Sequence, residues 1–205
     1  MTQPFGTNPG PGPAQSGSAA CSPSSPDLEE RLGHRFADRD LLRRALTHSS
    51  ADARVSNERL EFLGDRVLGL VIAENLHARF PDDAEGAMAL KLNALVRQET
   101  CARVAEAAGL GEQLTLAQSE IKSGGRRKAA ILAGTTEAVI AALYLDGGLE
   151  AARQFIDCYW DGETASLSSD MRDPKTTLQE WAQARGRGAA APVYELIRRE
   201  GPDHA

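Results

Sequence analysis

The apolar residues of this chain recur mostly at intervals of three and four, the spacing that places side chains on one face of a helix. Glycine, proline and short polar runs separate these periodic segments and indicate where helices end. The predicted helices are two short ones within 27–45 and further ones over 57–79, 87–108, 129–145, 149–160 and 173–185. Before residue 190 no segment alternates as a strand does, whereas 192–199 has the pattern of a first strand. The pattern therefore predicts an all-helical main domain.

The third predicted helix has a charged side as well defined as its apolar side. The apolar side comprises Leu60, Leu63, Val67, Leu70 and Val71. At about 100° per residue, Glu58, Glu61 and Asp65 fall within about 60° of arc on the opposite side. Arg59 and Arg66 point away from this acidic stripe, so we expect no local salt bridge to neutralise it.

Like charges at this spacing weaken an isolated helix, so the acidic stripe indicates a compensating cation. A divalent metal held by oxygen ligands is the natural candidate, and a solvated helix face is the alternative. Asn57 precedes the stripe and is predicted to be the N-cap of the helix. Phe62 lies beside the stripe and away from the core residues, which predicts an interface, unless the helix is buried on two sides.

A second carboxylate position stands out in the helix predicted over 129–145. Glu137 is surrounded in sequence by apolar and small residues on every side, and a helix that is apolar all round is usually buried. A buried carboxylate is costly unless it is paired, hydrogen-bonded or bound to a metal. We therefore expect Glu137 to be a metal ligand that faces Glu61 and Asp65, with pairing to an arginine as the alternative.

Composition limits the class of protein. The chain has 205 residues, of which 41% are hydrophobic and 25% charged, as in soluble globular proteins, and no run approaches transmembrane length. Residues 1–26 are rich in Gly, Pro, Ser and Ala and predict a disordered leader, not a signal peptide. The cysteines Cys21, Cys101 and Cys158 show no disulfide or metal-site spacing, so we expect reduced thiols in a cytosolic protein.

Charge is informative mainly through its distribution. The net charge of −6 argues mildly against a nucleic-acid partner. A local basic patch can outweigh net charge, and residues 122–128, with the sequence KSGGRRK, form a basic loop interrupted by glycine. Contact with phosphates and simple solvation are equally good interpretations of this loop.

The nine residues Asn57–Asp65, NERLEFLGD, strongly resemble the signature of the ribonuclease III family. The similarity continues through Arg79–Pro81, Glu85–Gly86, Lys122–Arg127, Ile131–Gly148 and Asp173–Glu180, the last resembling the opening of that family's double-stranded RNA-binding domain. After the leader that composition predicts over 1–26, the resemblance implies an all-α endonuclease domain over 27–149, a helix and linker over 150–172, and an incomplete α+β RNA-binding domain over 173–205.

The resemblance also implies a function. Members of the family work as homodimers in the cytoplasm, without a membrane partner, and process rRNA and mRNA precursors. They cut double-stranded RNA with Mg²⁺, or Mn²⁺ in its place, and leave 5′-phosphate and 3′-hydroxyl ends. By position, Glu61, Asp65 and Glu137 match metal-binding residues of the family, and Asp65 and Glu137 match its catalytic residues. Further matching positions are Glu58 and Glu85 in the acidic cleft and Phe62 as the aromatic that inserts into the partner subunit. The residues that we expect to bind RNA are Lys122, Arg126, Arg127, Lys128, Gln179 and Glu180.

Two departures from the family pattern bear on activity. Gly134 stands where the family has an aspartate ligand, so we expect severely reduced cleavage with folding retained. The 33 residues from Asp173 onward suffice for one helix and one strand, and segments below about 40 residues rarely fold alone. We therefore expect this tail to be poorly ordered and RNA affinity to be low. The alternative functions are a dimer of the same fold that binds duplex RNA without cutting it, and a purely structural dimer.

Overall fold

The computed structural model describes residues 21–167, and within that range the fold is helical. Apart from one 3₁₀ turn at Gly125–Arg127, the helices are α1 Leu28–Leu32, α2 Arg39–Ala45, α3 Glu58–Arg79, α4 Glu85–Val96, α5 Gln98–Ala107, α6 Leu110–Gln113, α7 Gln118–Lys122 and α8 Ala129–Ala165. The described residues contain no strand, only an isolated bridge between Thr47 and Thr115. The predicted all-α domain is therefore confirmed, and the α+β domain predicted for 173–205 lies outside the described residues.

Helix α8 is the centre of the fold. It packs most extensively against α3 and then against α5. By length and composition α8 could cross a membrane, because an 18-residue window has a mean hydropathy of 1.4. The expectation that no segment has this length and composition is therefore wrong. Since 61% of that window is buried inside the domain, its apolar side chains are accounted for by the core of the fold.

The single helix predicted over 87–108 is wrong, because the chain forms α4 and α5 with a break at Arg97 (φ −68°, ψ 158°). The break exposes carbonyl groups at the end of α4, and side chains of α5 and α8 satisfy them. The hydroxyl of Thr100 donates to the carbonyl of Ala94 at 2.9 Å, and the indole N–H of Trp160 donates to the carbonyl of Leu95 at 2.9 Å. No glycine or proline marks the break in the sequence, so only these contacts reveal it.

The predicted helix stop near residue 146 is a kink within α8. Gly148 has a φ of 76°, a value that suits glycine and few other residues. Beside the kink, the buried His34 ring lies 2.7 Å from the carboxylate of Asp146. That carboxylate also accepts hydrogen bonds from the backbone N–H groups of Ala37 (2.9 Å) and Asp38 (2.8 Å). The segment between α1 and α2 is thereby fastened to α8.

Beyond the kink, α8 continues to Ala165, five residues past the predicted helix end at residue 160, and so extends into the region predicted as helix and linker over 150–172. Phe155 and Trp160 in this half are buried, at 0% and 1% exposure, in the same core as the residues before the kink.

The cysteine prediction is wrong for two of the three residues. Cys21 and Cys158 form a disulfide across a sequence separation of 137 residues, while Cys101 is free and buried. The end of the predicted leader is therefore attached to α8, and the backbone N–H of Ser22 also donates to the carbonyl of Glu30 at 2.9 Å. The spacing of cysteines along the chain does not reveal a pairing that depends on the return of α8.

Candidate active site

The two acidic helices meet at Gly64, nearly two turns into α3. A Cβ atom on this residue would overlap the backbone carbonyl oxygen of Glu137 and lie 2.5 Å from its carbonyl carbon. The backbones of α3 and α8 are therefore in direct contact, which only glycine allows. This crossing places the acidic stripe of α3 against the one carboxylate in the apolar part of α8.

The electrostatics of Glu137 show how closely the carboxylates approach. Glu137 is half-buried. Its burial, followed by the negative charges of Asp65 and Glu61, raises its pKa to about 7, and Arg66 opposes the shift. The predicted juxtaposition of Glu61, Asp65 and Glu137 is therefore present. Its physical consequence is that Glu137 holds its proton more tightly than an isolated carboxyl group does.

Glu61 lies at the centre of the acidic stripe and is also half-buried. Its burial and then the charge of Glu58 raise its pKa, with a smaller contribution from Asp65, while the nearby His48 lowers it. Glu58 itself is exposed and accepts a hydrogen bond from the hydroxyl of Ser56 at 3.3 Å. Glu58 therefore belongs to the electrostatic surroundings of Glu61.

Glu85, the other predicted acidic residue of the cleft, begins α4 and is exposed. It is not among the groups that raise the pKa values of Glu61 and Glu137. Between residues 21 and 167, no group of three or more His, Cys, Asp or Glu side chains is arranged as a metal site. The carboxylates are thus gathered near one another without converging on one point.

Arg66 corrects one sequence expectation. Its guanidinium forms an ion pair with the carboxylate of Asp65, so a local salt bridge does neutralise part of the acidic stripe. The same guanidinium lies 5.5 Å from the centroid of the Phe62 ring, within the range of a cation–π contact.

Phe62 is 68% exposed, as expected of an aromatic that lies away from the core. Leu70, predicted on the core side, is 51% exposed because it lies at the edge of the apolar stripe.

Gly134, on α8, leaves room that Glu61 uses. A Cβ atom at Gly134 would lie 2.6 Å from Oε2 and 2.8 Å from Cδ of Glu61. The Glu61 carboxylate therefore lies directly over the glycine, in the space that a side chain at this position would need. The absence of a side chain at position 134 therefore leaves open the space that the Glu61 carboxylate occupies.

Asn57 has a role that the sequence interpretation missed. It stands at the predicted N-cap position of α3, but its backbone is helical (φ −76°, ψ −10°) and its side chain makes no capping hydrogen bond. Asn57 is only 3% exposed and lines a cavity of about 240 Å³ together with His48, Glu58, Glu61 and Gly134. The i, i+4 spacing of Asn57 and Glu61 on one helix face could have indicated this proximity.

The basic loop divides into two kinds of residue. The Arg126 guanidinium donates to the backbone carbonyls of Gly111 (2.8 Å) and Glu112 (2.9 Å), and Lys128 pairs with Glu120 at 2.6 Å. Lys122 and Arg127 are exposed, and within the described part of the chain their side chains have no partner. The remaining predicted RNA-binding residues, Gln179 and Glu180, lie outside the described residues.

Comparison with known proteins identifies the family of this helical domain. A family model described as Ribonuclease-III-like matches residues 38–160. Ribonuclease 3 of Caulobacter vibrioides is 57% identical over 184 residues, which cover 87% of this chain and 79% of the relative. Ribonuclease 3 of Cereibacter sphaeroides is 55% identical over 180 residues, which cover 87% and 78%.

Solved structures agree with the sequence comparison. The nuclease domain of ribonuclease III from Campylobacter jejuni matches with a TM-score of 0.65 and 38% identity, over 69% of this chain and 96% of that one. A second structure of that nuclease domain, described for flexibility in a region involved in dimer formation, has a TM-score of 0.63 and 39% identity, over 65% and 96%. The chain therefore belongs to the ribonuclease III family of endoribonucleases.

Proposed function

We propose that this endoribonuclease hydrolyses double-stranded RNA with a divalent cation, Mg²⁺ or Mn²⁺, held by Glu61, Asp65 and Glu137. The observation that supports this proposal is the crossing at Gly64, which gathers carboxylates from two helices and raises the pKa of Glu137 to about 7. A divalent cation would relieve that repulsion, and carboxylate oxygens are the ligands that Mg²⁺ prefers. The residues present therefore fit the cation in charge and in ligand type.

When bound, the cation would activate a water molecule and neutralise charge on the scissile phosphate. The carboxylates of Glu61 and Asp65 from α3 and of Glu137 from α8 would bind and orient it. Duplex RNA is recognised by its shape through phosphates and 2′-hydroxyl groups. The exposed Lys122 and Arg127 are the residues of the basic loop best placed to contact phosphates. The products would be 5′-phosphate and 3′-hydroxyl ends.

The assembly that we propose is a homodimer formed through the face that exposes Phe62. The large apolar side chains exposed within residues 21–167 are Val55, Phe62, Leu70, Tyr144 and Leu145. A single exposed apolar residue is ordinary, but an aromatic at 68% exposure beside a catalytic cluster favours an interface. The natural substrates would be structured rRNA and mRNA precursors in the cytoplasm, with no membrane partner. Thiols are usually reduced in the cytoplasm, so the Cys21–Cys158 disulfide does not support a cytoplasmic location.

The activity is tested with the purified chain and a long, end-labelled RNA duplex. We expect slow cleavage in Mg²⁺ or Mn²⁺, none in EDTA, and products whose 5′ ends are sensitive to phosphatase. Uncut duplex after long incubation with either metal, at protein concentrations that bind all of it, would contradict the proposal.

Gly134→Asp is expected to raise the rate of cleavage by about tenfold or more, equivalent to about 1.4 kcal/mol of transition-state stabilisation. The added carboxylate supplies an oxygen ligand beside Glu137, and the flexible Glu61 side chain can move aside for it. The measurement is the single-turnover rate in Mg²⁺. Gly162→Asp, on the same helix with open space around the glycine, is the matched control and should leave the rate unchanged. Equal rates for Gly134→Asp and the wild-type chain would show that Gly134 is not a defect of the site.

The same glycine favours a second candidate function, a dimer that binds duplex RNA without cutting it. Gly134 removes one carboxylate from the cluster but leaves the α3–α8 crossing intact. This function predicts retention of duplex RNA in a gel-shift assay with Mg²⁺ present, and intact RNA recovered from the shifted band. Cleaved RNA recovered from that band would favour the enzyme.

Arg126 and Arg127 are neighbours with different expected roles. Arg126→Ala should lower the free energy of unfolding by about 1 kcal/mol, because the guanidinium bonds to the carbonyls of Gly111 and Glu112 are lost. Arg127→Ala should leave the free energy of unfolding within about 0.5 kcal/mol of wild type. It should weaken duplex binding, and the loss of affinity should be larger at low salt than at high salt. Urea unfolding and filter binding in EDTA measure the two quantities. A larger loss of stability for Arg127→Ala than for Arg126→Ala would reverse the assignment.

A further inference from the structure

The cavity beside Gly134 contains a buried polar side chain that neither the fold nor the proposed carboxylate centre uses. Asn57 is 3% exposed, and its side chain has no hydrogen-bond partner among residues 21–167. No side-chain nitrogen or oxygen in that range is both sealed from solvent and unpartnered. The amide of Asn57 therefore opens onto the cavity of about 240 Å³ that it lines.

Asn57 is adjacent to the carboxylate that Gly134 displaces. Asn57 and Glu61 are four residues apart on the helical backbone, and the N–H of Glu61 donates to the carbonyl of Asn57 at 2.8 Å. Their side chains therefore share one face of α3. Glu61 reaches from that face across to Gly134, where its Oε2 lies 2.6 Å from the position of an added Cβ atom. The amide and the carboxylate thus both border the space above the glycine.

The cluster needs an oxygen donor besides its carboxylates. No three His, Cys, Asp or Glu side chains form a metal site in the described part of the chain. Side-chain amide oxygens are ordinary ligands of hard cations, and a neutral donor adds no repulsion to a cluster that is already crowded with negative charge. Each molecule in liquid water occupies about 30 Å³, so a cation and several of its bound waters fit the cavity.

We propose that in this chain the cation is bound in the cavity over Gly134, where the amide oxygen of Asn57 is a ligand beside Glu61 and replaces the absent carboxylate. This inference rests on the proposed function through Glu61, the carboxylate of that centre that lines the cavity; Asp65 and Glu137 are not among its lining residues. Glycine at 134 is then part of the arrangement, since a side chain without a ligand atom there would displace Glu61 and offer the cation nothing in its place.

The test is Mn²⁺ binding to the metal-free full chain, measured by titration calorimetry and by the Mn²⁺ electron paramagnetic resonance signal. Gly134→Ala adds a methyl group and no ligand, so it should weaken Mn²⁺ affinity about tenfold although alanine favours the helix. Gly162→Ala, on the same helix with open space, should leave affinity unchanged. Asn57→Ala should also weaken Mn²⁺ affinity about tenfold. Asn57→Asp keeps the shape of the side chain and should strengthen Mn²⁺ affinity, so it provides the test if Asn57→Ala fails to fold.

The outcomes separate this inference from the proposed function. Equal Mn²⁺ affinity of Gly134→Ala and wild type, or an unchanged affinity in Asn57→Asp, would overturn the inference. If either of these results were obtained but Glu137→Gln lowered the Mn²⁺ affinity, the inference about Asn57 would fail while the proposed carboxylate centre would still stand. An absence of Mn²⁺ binding to the wild-type chain would overturn both.

Discussion

Glu137→Gln is expected to reduce Mg²⁺-dependent cleavage of duplex RNA about 10³-fold. The amide has nearly the shape of the carboxylate but carries no charge, so the centre loses its only ligand from α8 among the three assigned carboxylates. A bound cation contributes several kcal/mol to the transition state of hydrolysis, and each 1.4 kcal/mol is about a factor of ten in rate. The single-turnover rate measures the effect, both in the wild-type chain and in the faster Gly134→Asp background.

The control for this substitution is stability without metal. Burial and the neighbouring carboxylates raise the pKa of Glu137 from 4.5 to about 7. The folded state therefore binds this proton more tightly than the unfolded state, and the associated stability is complete below pH 4.5 and lost as the pH rises through about 7. In EDTA at pH 8, Glu137→Gln should melt at or above the temperature of the wild-type chain. If Glu137→Gln cleaved slowly and also melted at a lower temperature than the wild-type chain, the lost cleavage would be due to unfolding. If its rate of cleavage were unchanged, Glu137 would not be part of the active site.

Gly64→Ala is expected to have the largest effect on folding, a loss of about 3 kcal/mol in the free energy of unfolding. The added methyl group would overlap the backbone carbonyl of Glu137, and a backbone atom in the middle of α8 cannot move without separating the two helices. Urea unfolding followed by circular dichroism measures the change. We also expect the pKa of Glu137 to fall toward its ordinary value in any fraction that stays folded, because the crossing that buries it is opened.

Gly69→Ala is the matched control for this substitution. Gly69 lies on the same helix with nothing within 4 Å of an added Cβ atom. Alanine is favoured over glycine in a helix by up to about 1 kcal/mol, so this variant should be as stable as wild type or more stable. If Gly64→Ala proved as stable as Gly69→Ala, the backbone contact between α3 and α8 could not be as close as described.

Much of the site could be predicted from residue type and spacing. The recurrence of Glu58, Glu61 and Asp65 on one helix face is a local property, because helical geometry alone brings those side chains together. The exposure of Phe62 follows from the same geometry. The proximity of Glu137 followed from energetics, since a carboxylate within an apolar helix requires a partner. The ion pair of Arg66 with Asp65 could not be predicted in this way, because a long side chain can reach back to its neighbour whatever the direction of its Cα–Cβ bond.

The sequence by itself determined that the domain is helical, the apolar and acidic sides of α3, and the family to which the chain belongs. These properties depend on residues a few positions apart, whose relative places are set by the helix. Only the tertiary structure decided the break at Arg97, the Cys21–Cys158 disulfide and the position of Glu61 over Gly134. Each of these depends on which distant segment packs against the residue, and no local pattern specifies that. The acidic signature therefore identifies the family, whereas the crossing of α3 and α8 decides how its carboxylates are placed.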